Sequence, residues 1–151
     1  MDKELIRKFL REVSLENATW GTNRLGAIAA KAGARVGMSL ASFNEENDQL
    51  LVSAPNDEVL PILAGVLKKF ARALKDPVEF GAPHATFCML TGQKSVFGQW
   101  GHPSLVFAYV KPLTDATTHI LLEAYSNDYG GTVAKMEIKR LLKELALRFH
   151  G

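Results

Sequence analysis

Apolar positions at the start of the chain recur with helical spacing. Leu5, Ile6, Phe9, Leu10 and Val13 share one face of a helix predicted over 3–15, and Lys3, Glu4, Arg7, Lys8, Arg11 and Glu12 take the other. Asn17 to Thr22 break this pattern. The Ala-rich run 23–32 predicts a second helix, with Gly33 suited to its C-terminal cap. The period then drops to two. Val36, Met38 and Leu40 alternate with Gly37, Ser39 and Ala41, as on a half-buried strand. The polar run Asn44 to Asp48 predicts a turn, and 49–54 a returning strand, so the pair is expected to form a hairpin.

A third helix is predicted over 57–75. Its apolar stripe is Val59, Ile62, Leu63, Val66, Leu67, Phe70 and Leu74. Asn56 or Asp57 would cap it, Pro61 would sit in its first turn, and Pro77 would end it. Short strands are predicted at 78–80, 84–90 and 95–100. The two strongest are 105–110 and 120–125, whose near-continuous apolarity predicts central places in a sheet. The last helix is predicted over 131–149, with Val133, Ile138, Leu141, Leu142, Leu145 and Phe149 on one face, and Gly130 and Gly131 permit the tight turn into it. Glu144 and Arg148 are placed to pair on the opposite face. This order and these short connections predict an α+β fold, an antiparallel sheet of five or six strands with helices packed on it.

Composition narrows the classes. Of the 151 residues, 47% are apolar and 23% charged, as in a globular rather than a disordered chain. No repeat, low-complexity run or linker divides residues 1–151, so one domain is expected. The net charge of +2 argues for no polyanionic partner. With Cys88 alone, no intrachain disulfide can form. The charged N-terminus is unlike a secretory signal, and no apolar run is long enough to span a bilayer. A cytoplasmic location without membrane attachment is the expectation.

The element order resembles the PAS/GAF/profilin group of sheets. Residues 25–54 resemble the opening helix and hairpin of a GAF domain, 60–80 its middle segment with Gly65 and Pro77, and 104–149 its closing hairpin and helix, including Pro112-Leu113. Residues 119–145, a strand passing through a Gly-containing turn into a helix, are also similar to the profilin-like roadblock fold. The GAF resemblance implies a regulatory or sensory module for a small ligand or protein partner. The roadblock resemblance implies a homodimeric scaffold for a small GTPase or a larger complex. Fold analogy alone assigns neither role.

Candidate sites each stand beside a plainer reading. Trp100, Phe97, Phe107, Tyr109 and Tyr125 are candidates to line a ligand pocket on the strand-rich half, and the plainer reading is that they are the aromatics of a sheet core. His84 and Cys88, four apart on the predicted strand, are weak candidates for a metal or haem site, with His102 and His119 at other strand starts. A buried inert thiol is the plainer reading, since Phe87, Met89 and Leu90 surround Cys88 in sequence. No metal or other cofactor is expected. Residues 28–43 resemble the helix-turn-helix of tetracycline-repressor-type regulators, through Ile28, Ala29, Ala32, Gly33, Gly37 and Phe43. The would-be recognition helix, 37–43, carries no Arg, Lys, Asn or Gln to reach base edges, so nucleic acid is not the expected partner. The basic residues Arg7, Lys8, Arg11, Lys68, Lys69, Arg72, Lys135, Lys139, Arg140 and Lys143 are expected on solvated outer helix faces. With no base and orienting group evident for Cys88, regulation or assembly is expected ahead of catalysis.

Overall fold

The computed structural model describes residues 1–19, 28, 29, 32, 33, 41–94, 96–98 and 100–150. It is an α+β fold. Helix α1 (Lys3–Thr19) is followed by strand β1 (Ser42–Val52), helix α2 (Asn56–Phe70) and strand β2 (Ala71–Lys75). A 3₁₀ turn (Pro77–Phe80) leads to β3 (Phe87–Lys94), β4 (Trp100–Thr114), β5 (Thr117–Asp128) and α3 (Val133–His150). The five strands form one antiparallel sheet in the order β1-β5-β4-β3-β2. β4 is central with β5 beside it, as their apolar runs predict.

The sheet is buried on both faces because its central strands alternate two sets of apolar side chains. Val106, Ala108, Ile120, Leu122 and Ala124 meet Leu63, Leu67, Ile138, Leu141 and Leu145 of α2 and α3. Leu105, Phe107, Tyr125, Cys88 and Leu90 face the other way and meet Ile6, Leu10 and Val13 of α1. Leu5, on the predicted apolar face, stays 40% exposed.

Several local expectations are corrected. The polar run Asn44 to Asp48 is no turn. It lies inside β1, which pairs with β5 from Ser42↔Asp128 to Val52↔Thr118 without a break. An edge strand needs a partner on one side only, and its polar side chains can stay in water. Residues 36–40 of the expected hairpin lie outside the described residues. Of the helix expected at 23–32, residues 28, 29 and 32 are described and helical, as is Gly33.

α2 stops at Phe70 rather than near residue 75, because Ala71 turns extended and β2 pairs with β3. Leu74, which continued the helical stripe in sequence, is 56% exposed. Pro55, with no side-chain cap bond, precedes α2, and its carbonyl accepts from the Glu58 and Val59 N–H groups. Pro61 sits beyond the first turn, on the exposed side, where water can reach the carbonyl it leaves unbonded. Residues 78–80 are not a strand: Asp76 accepts from the Val78 N–H at 3.0 Å and starts a 3₁₀ turn. Among 95–100, residues 96–98 form the β3–β4 turn and only Trp100 is in a strand. His84 precedes β3 in a turn, so it is not on the strand that carries Cys88.

Two side chains shape the turn from β5 into α3. Asp128 accepts from the Thr132 N–H at 3.1 Å, and the Ser126 hydroxyl accepts from the Ala134 N–H at 3.2 Å while donating to Asp128 at 2.6 Å. These bonds satisfy donors that a helix start leaves open. Gly131 has φ +70°, which favours glycine, and a Cβ there would lie 2.9 Å from the Asn44 side-chain oxygen, which would have to shift.

A candidate cleft between a strand bulge and the start of α3

At the end of the sheet where β3 runs into β4, the pairing slips between Thr91 and Gln93. A slip of this kind bends the strand and locally disrupts its ladder, which resumes at Gln93↔Gly101. His102, just inside β4, takes a φ of +50°, which is uncommon for a residue with a Cβ. Gln93 and His102 then line a cleft whose other wall is Thr132, Val133, Met136 and Glu137 of the α3 start. The cleft offers about 130 Å³.

Its chemistry is mixed. Glu137 is 97% buried, its side chain ion-paired to Arg140 one turn along α3. The Arg140 guanidinium lies 4.5 Å from the Phe70 ring centre, and its Nε is buried without a hydrogen-bond partner. A buried carboxylate is costly unless it is paired, and Arg140 supplies that partner. Val133 and Met136 supply the apolar wall. The turns after β3 and β5 carry exposed aromatics: Phe97 and Tyr129 are each 82% exposed.

The aromatic residues expected to line a pocket fall into three places. Phe107 and Tyr125 are in the core, ring centres 5.8 Å apart, with Tyr109 half-buried on the same face. Trp100 is half-buried, with the Arg72 and Lys94 cations 5.8 and 5.7 Å from its ring centre. Phe97 is at the hairpin tip, away from the others. Tyr125 donates to Glu123 at 2.7 Å. Burial, then that bond, raises its pKa above the ordinary phenol range, and burial with the Glu123 charge raises Tyr109.

His84 is exposed whereas Cys88 is buried. Burial first, then the Glu79 charge, pushes the Cys88 thiol up to about 12. Such a thiol is not ionised near neutrality, so it lacks the thiolate that a nucleophile needs. Among the described residues, no three His, Cys, Asp or Glu side chains gather as a metal would require.

Arg140 and Arg72 depart from the expected solvated helix faces: Arg140 packs on Phe70 and Glu137, and Arg72 lies in β2 over Trp100. Desolvation lowers the Arg72 pKa, opposed by the Glu16 charge. The expected Glu144–Arg148 pair is present at 3.5 Å, and Lys69 of α2 approaches the same carboxylate at 2.9 Å. Glu137 and Gln93 carry no flag in the sequence, and His102 stands out there only beside His84, Cys88 and His119 as a weak metal candidate. The i, i+3 spacing of Glu137 and Arg140 was the one available signal. Phe43, the last residue of the helix-turn-helix resemblance, is in β1 and stacks on Tyr125 at 5.9 Å.

No protein-family model matches this chain, and no curated protein matches it. Among solved structures it is similar to an uncharacterised protein from Rhizobium leguminosarum, at 12% identity over 72% of this chain and 98% of that one, with a TM-score of 0.36. It is also similar to the Zhui aromatase/cyclase of a Streptomyces species, at 17% identity over 72% of this chain and 87% of that one, with a TM-score of 0.28. Likeness at these TM-scores assigns no family and no activity. The GAF-like and roadblock-like resemblances likewise go no further than the shared coarse architecture, an antiparallel sheet with packed helices. No described helix is long and apolar enough to cross a membrane.

Proposed function

We propose that the chain is a non-catalytic regulatory binding module that docks a protein partner, with the cleft at the α3 start receiving one partner side chain. The observation that carries this reading is the cleft's size set against its surroundings. At about 130 Å³ it falls well below the roughly 300–1,000 Å³ of small-molecule sites. That room suits a single side chain. Its wall, by contrast, exposes Met136, and Tyr129 is exposed three residues before Thr132, residue types that interfaces favour. A lysine or arginine fits best, its stem along Val133 and Met136 and its head toward the Glu137 carboxylate.

N-acetyl-lysine amide titrated into ¹⁵N-labelled protein tests this. The expected result is movement of the His102, Thr132 and Val133 amides, abolished by Thr132→Trp at the exposed rim. Movement that survives Thr132→Trp, or none up to the ligand's solubility, would overturn the reading.

A homodimeric scaffold is the second reading. It is favoured by a groove of about 210 Å³ between α1 and the 3₁₀ turn, lined by Leu5, Lys8, Phe9, Glu12, Glu79 and Phe80. Leu5 and Val78 are 40% and 64% exposed beside it. Sedimentation of the wild type and of Leu5→Glu separates the readings: a concentration-dependent dimer lost in the variant supports the scaffold, and a monomer throughout removes it.

A further inference from the structure

We propose that the outer edge of β1 is a docking edge for a basic, extended segment of another protein, which would add a sixth strand to the sheet. β1 is 11 residues long and its pairing with β5 is unbroken, with no bulge or proline. Among the described residues no strand pairs with its other edge. Natural sheets usually blunt such an edge with a bulge, a proline, a short strand or charged side chains, and of these β1 has only its acidic residues. The opposite edge has more of them: β2 has five residues, a register shift at its start and Lys75 at its end.

The occupant follows from charge. β1 carries Glu45, Glu46 and Asp48 and no cation. Glu45 is already paired with Lys3 at 3.0 Å across the α1 face. Glu46 and Asp48 lie two apart and so share the opposite face, where neither has an ion-pair partner among the described residues. Antiparallel pairing of two β1 edges, centred on the acidic run, would set Glu46 against Glu46 or Asp48, and like charges directly opposite destabilise a ladder. A second copy is therefore disfavoured here. A strand with basic residues at alternate positions places both cations opposite Glu46 and Asp48, while its backbone supplies the ladder.

The test uses a peptide of about seven residues alternating lysine with threonine, and two controls: glutamate in place of lysine, and the lysine peptide with a central proline. Amide hydrogen exchange is followed on the whole chain. The lysine peptide should slow exchange along 43–51, with a salt-weakened affinity at least about tenfold above that of the glutamate peptide. The double variant Glu46→Lys/Asp48→Lys should reverse that preference, its fold verified by circular dichroism. Equal binding of the proline peptide would reduce the effect to bulk charge and overturn strand addition. Unchanged β1 exchange, or a preference that survives the charge swap, would overturn it as well. The cleft is read independently through His102 and Thr132, so either proposal can fail alone.

Discussion

The two faces of the sheet are built differently. Toward α2 and α3 the buried residues are aliphatic: Val52, Leu63, Leu67, Ile120, Leu122, Leu141 and Leu145, with Met89 among them. Toward α1 the centre is aromatic. Phe9, Phe80, Phe107, Tyr125 and Phe43 form a continuous series with ring centres 5.2 to 6.1 Å apart, three of the four contacts edge-on. The aliphatic face gains its stability from area and can close partly around a lost methyl. The aromatic face depends on ring orientation, and α1 with Phe80 of the 3₁₀ turn covers it. It also holds Cys88 and Tyr125, whose protonated forms burial favours. The aliphatic face is therefore expected to tolerate truncation better, and the aromatic face to be the more sensitive to alkali.

The sharpest way to break that contrast is to truncate one residue on each side. Phe107→Ala removes a fully buried ring that touches both Phe80 and Tyr125. It should lower the unfolding free energy by about 3–5 kcal/mol. Leu122→Ala, equally buried on the other face, should cost about 2–3 kcal/mol, because helices on that side can relax toward the gap. Urea unfolding measures both, and an equal or larger loss for Leu122→Ala would dissolve the distinction.

The next effect is on pH dependence. The Cys88 value is raised from 9.0 to about 12, so the folded state holds its proton more tightly than the unfolded chain. The stabilisation is full below about pH 9 and is lost as pH rises toward the folded value, by about 1.4 kcal/mol per pH unit. Between those limits Cys88→Ala should flatten the fall in stability by about that slope, in unfolding curves taken at several pH values. A slope unchanged by the substitution would remove Cys88 from the alkaline sensitivity. The smallest effect expected is that of Tyr125→Phe, which deletes only the hydroxyl bonded to Glu123. A loss of about 0.5–1.5 kcal/mol in thermal unfolding is expected, with no change in the ring contacts.

Much of the fold was legible locally. Leu105 to Val110 in β4 are apolar at every position, and Ile120 to Tyr125 in β5 at all but Glu123, and a strand buried on both faces is what such runs suit. The candidate cleft was not legible. Glu137 read as one more polar residue on a surface helix, since its burial depends on Arg140 lying over Phe70, a residue of α2 that is distant in sequence. The β1 edge was misleading for a related reason. Asn44 to Asp48 have the composition of a turn, and only the ladder supplied by β5 makes them a strand.

By itself the sequence determined the amphipathic helices, the two central strands and the glycine-dependent turn into α3. These follow from side-chain period and backbone sterics, which act over a few residues. Tertiary structure alone decided where α2 gives way to β2, which strand borders β5, and which charges are buried. Those outcomes depend on hydrogen-bond and ion-pair partners far along the chain, and no local pattern specifies them.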